Sequence, residues 1–390
     1  MINTVLSAAG LLFMSTHISF ADALSYQYKS FLKLEHDNNK IMQVSDTEST
    51  NGATVNNSLE LFKTSARSES YLKGVLLVSE YTGENKKVHS DEDYSVFYGS
   101  NYTWPRLAVA LQGEHRREST YINEIEDAGI KENSKFRITN NLGAGLTYII
   151  SSRSTITLDA SINDLAFPDF VPVSLSEYTY INKSISGAYR LTKKSQLILS
   201  LYETNYDAHS NDTSTDTTGF NMTLVHSFNP IWSGSVSYGE RDSDSSPACS
   251  LDDCNNEGKL YNFSLERKGV KSELNFSFRK SLTPNSTGYL NETEQVVASY
   301  KLRLTPRLSA EFQYRDYENK SIDRSGSARN KSNESSALNF HYALDEQWYL
   351  TSRLTHKEQE FPSSINSRQA DSNSLYIILG FNGKKTNFTL

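Results

Sequence analysis

The residues of this chain best suited to chemistry are cations. Arg279, Lys301, Arg303, Arg315, Arg353 and Lys357 gather toward the C-terminus, on a face where the acids are Glu273 and Glu311. Guanidinium and ammonium groups on one wall concentrate anions by field focusing, and arginine grips carboxylates through paired N–H donors. That is chemistry of binding and guidance, in which no bond is made or broken. A basic wall is informative in a chain whose formal net charge is −7. The same face collects Lys33, Glu35, Glu80, Glu114, Arg116, Asp159, Arg190, Arg241 and Glu266, with the aromatics Phe97, Tyr202, Tyr206, Tyr317 and Tyr349. Such rings pack on the C–H faces of sugars while hydroxyls and amides hydrogen-bond. The plainer roles are mutual neutralisation across neighbouring strands for the charges and space filling for the rings.

Catalysis finds little support. His36, His89, His115, His209, His226, His341 and His356 are scattered over different segments, with His226 on an apolar face and His341 on the polar one, and no nucleophile motif accompanies them. Cys249 and Cys254 lie in one polar segment, DSDSSPACSLDDCNNEG, where an oxidising export route favours a disulfide between them. Two thiols without a nearby histidine make a poor metal set. Nothing in the pattern calls for a cofactor or a nucleic acid.

The elements that position these residues are strands. In EQVVASYKLRLTPRLSAEFQYRDYE, residues 294 to 318, two alternating runs flank a tight turn at Thr305-Pro306. Leu308, Ala310, Phe312 and Tyr314 fall on one side, and Ser309, Glu311, Gln313, Arg315 and Tyr317 on the other, the period of two that a strand imposes. The runs are about eleven residues long, close to the roughly 9 to 11 that cross a bilayer at a tilt and about twice the soluble norm. The unit repeats about eighteen times, with centres from near residue 32 to near residue 378. Asn382-Gly383 reads as a bend within the last run. Short turns at 66–71, 103–107, 150–155, 190–195, 227–232, 268–270, 304–308 and 343–348 alternate with polar segments at 84–93, 119–135, 207–217, 242–258 and 318–334.

This predicts an all-β fold: a transmembrane antiparallel up-and-down β-barrel of about 18 strands, with short periplasmic turns and long extracellular loops, in a bacterial outer membrane. Only half of each strand need be apolar, so a 37% hydrophobic fraction excludes a helical membrane protein without excluding this class. Trp104, Trp232 and Trp348 each stand beside a short turn, where an interfacial girdle belongs. Residues 1–21 read as a signal peptide, with an apolar stretch from Val5 to Met14 and small residues for cleavage after Ala21 or Ala23; residues 22–390 form the barrel. The segment 164–177, DLAFPDFVPVSLSE, carries Leu165, Phe167, Phe170, Val171 and Val173, so it is expected to fold over or into the mouth as a constriction. Contact with lipopolysaccharide or another protein is the other way to cover it, and Pro168 and Pro172 argue against a strand there.

FLKLEHDNNKI (31–41), followed by hairpins of the RLTKKSQLILSLYETNYD and RLTPRLSAEFQYRDYE type, resembles the outer-membrane β-barrel porins associated with exopolysaccharide gene clusters, over nearly the whole mature chain. The resemblance implies an exit for polymer made by an inner-membrane polymerase pathway, with a separate periplasmic polysaccharide export protein and a copolymerase as partners beside lipid and lipopolysaccharide. On that reading the polymer enters past Arg190 and Arg303, slides along Arg353 and Tyr349, and leaves past Arg241, Arg279 and Arg315, with Lys301, Tyr317 and Lys357 beside the path. A general or small-solute diffusion porin is the alternative. A barrel that works through its loops, as a structural or surface-binding protein, is the third.

Overall fold

Runs that alternate apolar and polar residues satisfy their backbones only by pairing with one another, and a membrane tolerates such a sheet only if it closes. The computed structural model describes residues 23–40, 42, 47–83, 88–119, 136–168, 175–209, 213–246, 255–285, 289–321, 331–361 and 368–387. It begins with β1 (Ala23–Asp37), β2 (Thr50–Thr64), β3 (Ser68–Gly83), β4 (Val88–Thr103), β5 (Leu107–Ser119) and β6 (Phe136–Ile149). The middle third is β7 (Ser154–Ala166), β8 (Tyr178–Arg190), β9 (Ser195–Ala208), β10 (Thr213–Ser227), β11 (Trp232–Ser246) and β12 (Asn255–Lys268). The last is β13 (Ser272–Asn285), β14 (Tyr289–Arg303), β15 (Leu308–Ser321), β16 (Lys331–Ala343), β17 (Trp348–Phe361) and β18 (Arg368–Asn382). Each strand pairs antiparallel with the next and β18 pairs with β1, which closes an 18-strand barrel.

All eight short turns stand where the sequence places them, at 65–67, 104–106, 150–153, 191–194, 228–231, 269–271, 304–307 and 344–347. At Asn382-Gly383 the chain bends and continues. Lys29 pairs with Asn382 but Tyr26 with Thr386, so one extra residue is absorbed before β19 (Thr386–Asn387) resumes the pairing with β1. This is a bulge, and Gly383 fits it because a Cβ there would lie 2.7 Å from the Tyr28 carbonyl oxygen.

The strands run to 13–16 residues, longer than the bilayer requires. Parts of the expected loops are therefore strand: 88–93, 213–217, 242–246, 255–258, 318–321 and 331–334. A ladder needs only backbones, and above the lipid its side chains can be polar. Thr217 and Ser243 hydroxyls bond at 2.9 Å and Thr215 and Ser245 at 3.1 Å on the inner face of β10 and β11.

The outer face carries the apolar band. Leu32, Val55, Leu76, Leu146, Leu158, Leu199, Phe220, Val236, Phe263, Phe312, Leu354 and Ile377 are among its exposed side chains, the surface that lipid covers. Trp104 opens a short turn, Trp232 and Trp348 open β11 and β17, and all three lie at the short-turn end. Trp104 stacks on Tyr102 at 6.1 Å, and Trp348 packs on Phe381 at 5.0 Å. Residues 1–22 (including Ala21), Cys249, Cys254, Phe170 and Val173 lie outside the described residues, whereas Ala23 opens β1 opposite Thr64.

Candidate permeation site

Inner-face parity follows from the register. Lys33 and Glu35 on β1, Glu114 and Arg116 on β5, Asp159 on β7, Arg190 on β8 and Arg241 on β11 face inward as expected. So do Glu266, Glu273, Arg279, Lys301, Arg303, Arg315, Arg353 and Lys357. Phe97, Tyr202, Tyr206, Tyr317 and Tyr349 join them. Glu80 does not. It pairs with Ala53 on the outer face, because Tyr81 turns inward over Gly52, where a Cβ would lie 2.5 Å from the ring. The run Val75-Leu76-Leu77-Val78 is apolar at both parities, so alternation alone leaves the face of Glu80 open.

Register divides the basic wall into rows. Glu273, Lys301, Glu311, Asn339, Arg353, Tyr376 and Glu35 stand side by side across successive strands, so charge alternates along that row. Two rows nearer the mouth differ. One reads Ser277, Val297, Arg315, Ser335, Lys357 and Ser372; the next reads Arg279, Gln295, Tyr317, Asn333 and Gln359. Neither row contains a carboxylate. Arg279 donates to Gln295 Oε1 at 3.3 Å, Arg353 donates to Thr355 Oγ1 at 3.2 Å, and the Arg315 guanidinium lies 5.7 Å from the Tyr317 ring centroid. Two adjoining cavities run along these rows. The first, about 680 Å³, is lined by Lys33, Glu35, Arg315, Arg353, Lys357 and Tyr376; the second, about 440 Å³, by Arg279, Arg315, Tyr317 and Lys357 together with Asn163 and Tyr178 from β7 and β8. Arg190 and Arg303 end β8 and β14 at the short-turn rim, and Tyr349 lies near that rim over Gly380. Lys40, just past β1, also turns inward, with Nζ 3.0 Å from Glu35 and 3.7 Å from the Tyr81 ring centroid.

Residues from β7 and β8 reach the β13–β17 wall's cavity because of a hairpin that leaves the wall. β12 and β13 pair only from Lys268–Glu273 to Tyr261–Lys280, while β12 stays paired with β11 as far as Asn255, and β13 with β14 as far as Asn285–Tyr289. Beyond Lys280 the β13–β14 tip has parted from β12 and leans across the mouth. Pro284, which has no N–H for a ladder, sits past the split, where one edge has no strand to serve. The outer parity of the tip meets the inner face of the opposite wall. Leu290 is wholly buried among Leu165, Phe167, Leu175, Tyr178, Tyr206 and Ala208, with Leu282 beside them. Glu292 accepts from Arg241 at 3.1 Å and from Lys280 at 2.6 Å, and Lys280 also reaches Glu294 at 3.2 Å.

The segment around 164–177 thus packs into the mouth over its described residues, but Leu165 and Ala166 belong to β7 and the closing partner is the β13–β14 tip. Arg241, whose side chain is 2% exposed, clamps that tip rather than facing the passage. The sequence signal for the tip is slight: Leu282, Pro284 and Leu290 lie beyond the lipid-facing run of each strand.

The opposite inner wall handles its charges differently. Glu114, Arg116 and Glu118 follow one another on the inner face of β5; Arg116 pairs with Glu114 and, at 3.2 Å, with Glu118, which Arg137 reaches at 3.3 Å. Asp93, opposite Glu118, accepts from the Ser119 N–H at 2.7 Å. Several histidines serve the outer face: His36, His115 and His356 bond Asn51, Asn140 and Asn373 at 2.8, 2.7 and 2.9 Å, while His226 bonds Ser195 at 2.9 Å near the short turns. His341 faces inward beside Thr351 at 3.0 Å.

No family model matches the chain, and no curated protein matches its sequence. The resemblance to exopolysaccharide-associated porins therefore gains no support beyond the barrel itself. Solved structures do match. The chain is similar to Pseudomonas aeruginosa OccK9 (OpdG), with a TM-score of 0.50 and 10% identity over 92% of this chain and 98% of that one. It is also similar to Pseudomonas aeruginosa OpdL, with a TM-score of 0.49 and 11% identity over 94% and 99%, and to the outer membrane protein opdK from the same organism, at 0.46 and 9% over 93% and 99%. At such identities the likeness concerns the fold. That fold, with its closed 18 strands and outer apolar band, is an outer-membrane β-barrel, and the chain resides in the bacterial outer membrane.

Proposed function

We propose that this barrel is a diffusion channel for small anionic solutes, carboxylates above all. The observation that carries the reading is the narrowed mouth: the β13–β14 tip is fastened to the far wall by Leu290 and Glu292, and the cavity left among the described residues is bounded by Arg279, Arg315 and Lys357 on one side and by Asn163 and Tyr178 on the other. A bulky hydrated polymer would need that tip to move, whereas a small anion passes beside it. Guanidinium groups offer paired donors to a carboxylate, and amide and phenol groups around them suit a polyhydroxylated body. Contacts of this kind are weak one by one, so a solute is guided without being trapped.

Planar-bilayer recordings of the reconstituted barrel test this reading. A reversal potential favouring anions, with transient block by a uronate or another small carboxylate from either side, is expected. Cation preference, or indifference to carboxylates, would sink it. Loss of surface polysaccharide on deletion of the gene, with small-solute uptake intact, would restore the polymer exit in its place.

A further inference from the structure

The short-turn rim is built from one repeated unit. Counting each turn from Ser65, Trp104, Ser151, Thr192, Asn229, Gly269, Thr305 and Asp345, the N–H of the first residue bonds the carbonyl of the fourth, and the carbonyl of the third accepts an N–H from the end of a strand in the next hairpin along. Arg67 takes Thr103, Arg106 takes Ile149, Arg153 takes Arg190, and so on to Gln347, which takes Asn382, each at 2.7 or 2.8 Å. Six turns add a side-chain cap at the first position, as when Thr305 Oγ1 accepts from Arg307 and Leu308 at 3.2 and 2.9 Å. The third residue is therefore locked at the seam between adjacent hairpins, at the same place in every turn.

That third residue is basic in six of the eight: Arg67, Arg106, Arg153, Lys194, Lys271 and Arg307. All six are exposed, and none forms an ion pair with a described residue. The general charge of the chain does not account for this, since it is net negative and its opposite rim is acidic on the outside. There Asp316, Glu334, Glu358 and Asp371 stand directly across from one another on four successive strands.

We propose that this ring docks the barrel onto anionic phospholipid head groups of the periplasmic leaflet. The occupant follows from the distribution of charge. The six cations are spread around the circumference, at the level of the outward-facing Trp232 and Trp348, and lipid is the one partner that surrounds a barrel on all sides. A periplasmic protein or a passing solute would meet one sector only. Locked seams hold the backbones of these residues on separate hairpins, so each cation can engage a separate phosphate, and the attraction falls within a Debye length of the surface.

The test uses the full barrel reconstituted in phosphatidylcholine vesicles containing phosphatidylglycerol, with lipid selectivity at its surface read by spin-labelled lipids. Enrichment of the phosphatidylglycerol probe by about fivefold or more at low salt is expected, and it should collapse at high salt. Replacing the six residues with Gln should bring selectivity near that of the neutral lipid while the channel still conducts, and Arg→Lys at the four arginines should preserve it. Selectivity unchanged by salt, or retained in the Gln variant, would overturn the proposal. So would the absence of lipid selectivity in a barrel whose rim instead captures a soluble polyanion. The outcome is separate from anion selectivity in the pore, which is read on the same sample.

Discussion

Two walls of one barrel carry the same kinds of residue and do different work with them. On β5 and β6 the charges Glu114, Arg116, Glu118 and Arg137 interleave and neutralise one another. On β13 to β17, Arg279, Arg315 and Lys357 stand in rows filled by Ser, Val, Gln, Tyr and Asn, with no acid in register. Composition alone would call both walls charged. Register decides whether a charge stands beside an acid in its own row, and across the lumen this sets rows of cations against a nearly neutral, slightly acidic wall.

The strongest way to break the contrast is to reverse the basic rows. Arg279→Glu, Arg315→Glu and Lys357→Glu together should abolish anion preference and lower carboxylate entry by roughly tenfold or more, measured as reversal potential and block rate. The same reversal at Arg116, which leaves that wall with more acid but no open row, should shift selectivity far less. Equal effects at the two walls would mean that register does not matter.

Loosening the hairpin comes next. Arg241→Gln removes the cation that ties Glu292 to the far wall and leaves it only Lys280 on its own hairpin, at 2.6 Å, so it should loosen the tip, raise single-channel conductance and admit larger solutes. Leu290→Ala removes a fully buried side chain from the cluster and should act in the same direction, at about 2 to 5 kcal/mol of local packing. Unchanged conductance in both, with the barrel folded, would show that the tip does not restrict the passage.

A smaller effect sharpens the contrast through one charge. Asp93, inward on β4 and accepting from the Ser119 N–H at 2.7 Å, adds a carboxyl to the wall facing the arginines. Asp93→Asn removes that negative charge and should increase anion preference modestly, read as a shift in reversal potential.

The least effect is expected at Gly380, over which Tyr349 lies so closely that a Cβ would fall against the ring. Gly380→Val should displace Tyr349 and cost about 1 to 3 kcal/mol of stability, while leaving ion selectivity intact.

Much of this was legible in the chain itself. Period-two alternation sorts Leu308 from Arg315 whatever the tertiary structure, because a strand has only two faces, and the turn residues beside Trp104, Trp232 and Trp348 mark one rim. Strand number, order, antiparallel pairing and nearly every inward charge follow from those local rules. Alternation failed at Glu80, where a run apolar at both parities offers no contrast, and it could not show that polar ends such as 242–246 remain paired above the lipid.

What the tertiary structure alone decided is which inward charges face the lumen and where the passage narrows. Arg241 and Arg315 look alike in sequence, each an inward arginine toward the loop end of its strand. One is sealed against Glu292 and the other opens onto the lumen. The difference arises because β13 leaves β12 beyond Lys280 and brings Leu290 and Glu292 across the mouth, to residues more than eighty positions away in the case of Tyr206. Local alternation fixes the face on which a residue lies. Only closure of the barrel, and the departure of one hairpin from it, fixes what that face meets.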